Sequence, residues 1–83
     1  MLVRGRVQGV FFRAETRERA VSLGLAGWIR NNPDGSVEAV VEGPENRVDA
    51  IVRWCGRGPA GAVVEEIKTT WEEARGERGF VVR

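Results

Sequence analysis

The sequence has no histidine and a single cysteine, Cys55, among its 83 residues. One cysteine cannot close an internal disulfide, and a thiol nucleophile would lack its usual histidine base. Nor can a metal site of the common His/Cys kind be assembled. Cys55 is therefore expected to be a half-buried helix thiol. No stretch approaches the roughly 20 apolar residues of a membrane span, and no basic region leads into an apolar run as in a signal peptide. A soluble, cytoplasmic protein is the resulting expectation. An excess of one charge is also missing. Thirteen basic residues face twelve acidic ones, for a formal net charge of +1. A general nucleic-acid or membrane-surface binder would carry a clear basic excess on one face, so neither partner is expected.

What the chain does have is arginine, which supplies twelve of the thirteen cations. Its planar fork suits phosphate or carboxylate, although most of these side chains are expected to be solvated. Leu, Ile, Val and Phe recur in short periodic runs, the mark of a folded globule. The length suits one domain over residues 1–83, and a monomer is expected.

Met1–Val7 reads as a strand with Val3 and Val7 on one face and Arg4 and Arg6 on the other. A helix is predicted from Phe12 or Arg13 to Leu23, with Phe12, Thr16, Ala20 and Leu23 as its inward stripe. Glu15 and Arg19 are placed for an i,i+4 pair on its outer side. Gly24 sits where a left-handed residue ends a helix, followed by apolar Leu25. Leu25 to about Asn31 reads as a second strand, Asn32-Pro33-Asp34-Gly35 as a turn and Ser36–Glu42 as the third strand of a hairpin. Gly43-Pro44 opens a second helix with the stripe Val48, Ile51, Val52 and Cys55, and Gly56 is expected to stop it. A loop over Arg57–Gly61 precedes a fourth strand, Val63–Trp71, and Phe80–Val82 is a short last strand. The order is β-α-β-β-α-β with an extra edge strand. The expected class is α+β, a ferredoxin-like βαββαβ sandwich with two helices on one face of an antiparallel sheet.

Gly5-Arg6-Val7-Gln8-Gly9-Val10-Phe11-Phe12-Arg13 carries the chemical information. A strand, a glycine-containing loop and a helix start follow one another directly. N–H groups at such a junction lack intrahelical partners, and the helix dipole favours negative charge there. Gly9 allows close backbone approach to an anion, and Arg13 adds a fork of donors. Each feature has an ordinary alternative, a tight turn and a solvated arginine, and the residues alone leave both open.

The same segment closely resembles the first signature of the acylphosphatase family. Gly27-Trp28-Ile29-Arg30-Asn31-Asn32-Pro33-Asp34-Gly35-Ser36-Val37 resembles the second, in the family's order and spacing. The similarity runs through Trp54-Cys55 and Gly58-Pro59 to Phe80-Val81-Val82. It implies the same fold and the hydrolysis of acyl phosphates without a metal, a cofactor or a phosphoenzyme. Residue by residue, it implies that Arg13 and Asn31 are catalytic. It also implies that Gln8, Gly9, Val10, Phe11 and Phe12 form, with Arg13, the phosphate-binding loop. Asn31 would hold the attacking water; its ordinary alternative is a turn-starting residue, a role that Asn32 could take instead. Family members commonly have a longer lead-in than four residues before Gly5, so a short first strand with a frayed N-terminal end is expected.

Other features read as structural. Trp28, Trp54 and Trp71 are scattered over three elements, which suits packing. Glu65-Glu66 and Glu72-Glu73 are consecutive, so strand alternation would part each pair. Two rival readings share this topology. A single-stranded RNA binder of this topology would place aromatics on its central strands, yet Leu2–Val7 and Ser36–Glu42 have none. An accessory acylphosphatase-like domain of a carbamoyl-transferring maturation protein would be followed by further regions. The ending at Arg83 favours the free-standing enzyme as the expectation.

Overall fold

A computed structural model describes every residue from Met1 to Arg83. Alternation in β1 (Leu2–Arg6) buries Val3 and leaves Arg4 and Arg6 in solvent. The chain continues through α1 (Phe12–Ser22), β2 (Ala26–Asn31), β3 (Val37–Glu42), α2 (Glu45–Arg57), β4 (Val63–Lys68) and β5 (Phe80–Val82). Both helices lie on a five-stranded sheet of order β4-β1-β3-β2-β5. Phe12, Thr16 and Ala20 of α1, and Val48, Ile51, Trp54 and Cys55 of α2, are the buried helix residues. They close over Val3, Ile29, Val37, Ala39 and Phe80 of the sheet. The expected ferredoxin-like sandwich is thus present, with one change. The sheet is mixed, because β5 pairs with β2 in parallel, while every other neighbour is antiparallel.

That parallel pairing positions the site. β1, β2 and β5 run in the same direction, with β3 between β1 and β2 running the opposite way. Their C-terminal ends therefore gather at one end of the sheet. The loop after β1, Asn31 at the end of β2 and Val82 at the end of β5 meet there.

Local chemistry fixes the ends of α1. The Leu25 N–H donates to the Ala20 carbonyl at 2.8 Å and the Gly24 N–H to that of Val21 at 3.0 Å. This is the paired Schellman closure, with Gly24 at φ 70° in the left-handed position. At the other end, the buried Phe12 ring packs on Trp54 with centroids 5.9 Å apart at 49°. A tilted pair of this kind adds about 0.5–1.5 kcal/mol beyond its buried area. It pins the helix start, and with it the preceding loop.

Several expectations change. Arg19 does not pair with Glu15; its guanidinium lies 4.4 Å above the Trp54 ring, which offers a larger face than an exposed carboxylate. Helix α2 runs through Gly56 to Arg57 and ends at Gly58. β4 stops at Lys68, whose partner Leu2 is the first residue of β1, so Thr69 onward has no strand to pair with. Trp71 is 64% exposed and does not serve the core. The N-terminal end is not frayed. The Met1 ammonium donates to the Ala39 carbonyl, and the Ala39 N–H to that of Met1, both at 2.9 Å.

Candidate active site

The loop between β1 and α1 is built from residues whose backbone donors have no work in the fold. None of the N–H groups of Gln8, Gly9, Val10 or Phe11 donates to a protein acceptor. The first turn of α1 adds its own unpaired N–H groups, Phe12 among them. Gly9 has φ 73°, and a side-chain carbon there would meet nothing within 4 Å, so backbone freedom rather than crowding is what glycine supplies. Phe11 also has positive φ, 62°, the sole non-glycine residue to do so. A left-handed aromatic residue costs on the order of 1–2 kcal/mol, and such strain persists where the surroundings impose it.

Arg13 and Asn31 line one cavity with Gly9, Phe11 and Phe12, about 290 Å³ in volume, completed by Val7, Ala14 and Val82. One nitrogen of the Arg13 guanidinium donates to the main-chain oxygen of Arg83 at 3.0 Å. This leaves the rest of the planar fork for a ligand. The Asn31 Oδ1 is buried and has no hydrogen-bond partner, the one such side-chain atom in the structure. Asn32 does the turn work instead. Its Nδ2 donates to the Ser36 hydroxyl at 3.0 Å, and its N–H to the Ser36 carbonyl at 2.8 Å.

The side chain of Gln8 turns towards the β2–β3 hairpin. The Nε2 donates to the carbonyls of Asn32 at 2.8 Å and Ser36 at 3.0 Å. The carboxamide thus ties the loop to the turn that follows Asn31, and only the main chain of Gln8 remains free for an anion. The turn is fastened a second time by Asp34, which accepts from the Ser36 hydroxyl at 2.6 Å, the Ser36 N–H at 3.0 Å and Arg4 at 3.0 Å. The Ser36 hydroxyl and N–H, then Arg4, lower the Asp34 pKa to about 2. Cys55 lies in the core, beside the Thr16 hydroxyl at 3.9 Å, and burial pushes its thiol up to about 11. It is neither ionised at neutral pH nor part of the cavity. No three His, Cys, Asp or Glu side chains are grouped as metal ligands would be, and no helix is long and apolar enough to cross a membrane.

A larger cavity of about 350 Å³ lies between β3, α2 and residues 69–75. Glu42, Glu45, Glu72 and Glu73 line it, with Arg75 as its only basic side chain. Its surplus of carboxylates would repel a phosphate, so the smaller cavity is the better anion site.

The acylphosphatase family model matches residues 1–82. The chain belongs to the acylphosphatase family. It is 59% identical to an acylphosphatase of Aeropyrum pernix, over all of this chain and 84% of that one. The crystal structure of acylphosphatase from Bacillus subtilis superposes with a TM-score of 0.94 at 37% identity, covering 99% and 92% of the two chains. A full-length HypF in its phosphate- and nucleotide-bound form is also similar, with a TM-score of 0.88 at 30% identity. This chain covers only 11% of that protein. Both signature segments of the family thus converge on the small cavity, one through the loop and Arg13, the other through Asn31. Ala14, Val82 and the Arg83 carbonyl join them without having been anticipated. The place of Val82 and Arg83 depends on the parallel docking of β5, for which a three-residue apolar run gives no signal.

Proposed function

We propose that the protein is a metal-independent acylphosphatase that hydrolyses carboxylic–phosphoric anhydrides to a carboxylate and inorganic phosphate. One observation carries this reading. Loop amides without protein partners and the side chains of Arg13 and Asn31 converge on a single cavity. The amides of Gln8, Gly9, Val10, Phe11 and Phe12, with Arg13, would hold the phosphoryl oxygens and spread their charge. The Asn31 carboxamide would hold a water and aim the water's lone pair at phosphorus. The water oxygen bonds to phosphorus as the bridging P–O bond breaks. The carboxylate leaves with that electron pair, and the water's proton passes to a phosphoryl oxygen. A carboxylate is a good leaving group, so no strong general acid is required. Positioning and electrostatic stabilisation supply most of the rate, as in other phosphoryl transfers.

The reading takes residues 1–83 as one domain, a cytoplasmic monomer acting on small acyl phosphates. Hydrolysis of acetyl phosphate by the purified chain, beside a phosphate monoester and with excess chelator present, tests it. Release of phosphate from acetyl phosphate alone, undiminished by the chelator, is expected. Cleavage of the monoester alone, or activity restored only by a divalent metal, would overturn it.

A further inference from the structure

We infer that the larger cavity, about 350 Å³ between β3, α2 and residues 69–75, is a second binding site, for a small organic cation. The ligand class is an ammonium or guanidinium group carried on an aromatic or aliphatic body. The site shares no lining residue with the smaller cavity, so it stands independently of the hydrolysis reading. Its volume falls in the range of small-molecule pockets, about 300–1,000 Å³. Val41, Val48 and Val52 give it a hydrocarbon lining continuous with the core.

Trp71 is the residue that the fold leaves unexplained. It lies beyond the end of β4, is 64% exposed, and lines this cavity without joining the core. Trp54 already has the guanidinium of Arg19 over its ring, and Trp28 has those of Arg30 and Arg83. Trp71 is the one indole with no cation over it, and an indole face attracts a cation within about 6 Å of its centre. The surrounding charges favour the same sign of ligand. Arg75, the only basic side chain lining the cavity, is spent on Glu72 at 2.8 Å. Glu42 accepts the N–H groups of Arg75 and Glu77, which ties this wall of the cavity to β3. Glu45 and Glu73 make no ion pair. Four carboxylates against one guanidinium leave the lining at a formal −3, opposite in sign to the +1 of the whole chain. A cation with an apolar body would meet an indole, two carboxylates without counter-ions and a hydrocarbon surface together.

The test is calorimetric titration of the whole chain with phenethylammonium and with 2-phenylethanol, which keeps the ring and replaces the ammonium by a hydroxyl. The cation should bind about ten-fold more tightly than the alcohol. Trp71→Leu keeps an apolar side chain without the π face. It should weaken the cation by about two- to five-fold and leave the alcohol nearly unchanged. The double variant Glu45→Gln, Glu73→Gln should weaken the cation by about five-fold. All three positions are exposed, so both variants should melt close to the parent. Equal affinity for cation and alcohol, or no binding of the cation at about 10 mM, would overturn the site. So would cation binding that either variant leaves unmoved.

Discussion

Replacing Asn31 with alanine separates a side chain kept for chemistry from one kept for structure. Its Oδ1 is buried without a partner. An unpaired buried carbonyl costs about 1–3 kcal/mol of folding free energy. Truncation removes that cost and forfeits the packing of a half-buried carboxamide, about 1 kcal/mol for a few heavy atoms. The difference runs from about zero to about 2 kcal/mol in favour of the variant. In a domain of this size, about 1 kcal/mol moves Tm by roughly 4–8 °C. Asn31→Ala should therefore melt at, or several degrees above, the parent temperature. Loss of the group that aims the water should at the same time lower kcat by about 10²-fold, or about 2.7 kcal/mol of barrier. Asn32→Ala provides the contrast. It loses a bond to Ser36, which should lower Tm by roughly 4–8 °C with a much smaller change in kcat. Calorimetry and steady-state hydrolysis of acetyl phosphate supply both readouts. Full kcat in Asn31→Ala would refute the water-orienting role. A large fall in its Tm would mean that the side chain serves the fold.

Arg13→Gln should reduce kcat/KM by about 10³-fold and weaken competitive inhibition by phosphate, because the amide is shorter and carries no charge; inhibition as strong as in the parent would place the anion elsewhere. Asp34 titrates near 2 when folded against 3.8 ordinarily, so its contribution to stability is complete above about pH 4 and is lost as pH falls towards 2. The Tm advantage of the parent over Asp34→Asn should narrow across that window, and an advantage constant from pH 5 to pH 2 would contradict the coupling. The Cys55 thiol, raised to about 11 by burial, should react with a disulfide reagent at pH 8 only on unfolding. Stoichiometric labelling of the folded chain within minutes would show the site to be open.

Much of this was legible in the sequence where a rule acts locally. The stripes Phe12-Thr16-Ala20 and Val48-Ile51-Cys55 are spaced by the helix itself, and Gly24-Leu25 closes α1 by a backbone pattern that needs only those residues. Expectations failed where a distant partner decides. Gly56 is tolerated because Trp54 and Cys55 just before it are already anchored in the core, which outweighs the roughly 1 kcal/mol preference against glycine. β4 ends where β1 runs out, and Arg19 is drawn to Trp54 by the packing of the two helices. At the site, the two signature segments named Arg13 and Asn31. The free Oδ1 of Asn31 and the inward turn of Gln8 towards the hairpin are consequences of tertiary geometry. Phe11 illustrates the same limit, since its exposure and left-handed backbone follow from how its neighbours are pinned.

The most direct measurement is a titration of the ¹⁵N-labelled chain with inorganic phosphate, followed by amide chemical shifts. Saturable shifts at Gly9, Val10, Phe11 and Phe12, with the Arg13 side-chain N–H among them, are the expected result. Saturation elsewhere on the surface, with these amides unmoved, would contradict the assignment of the loop as the seat of the phosphoryl group.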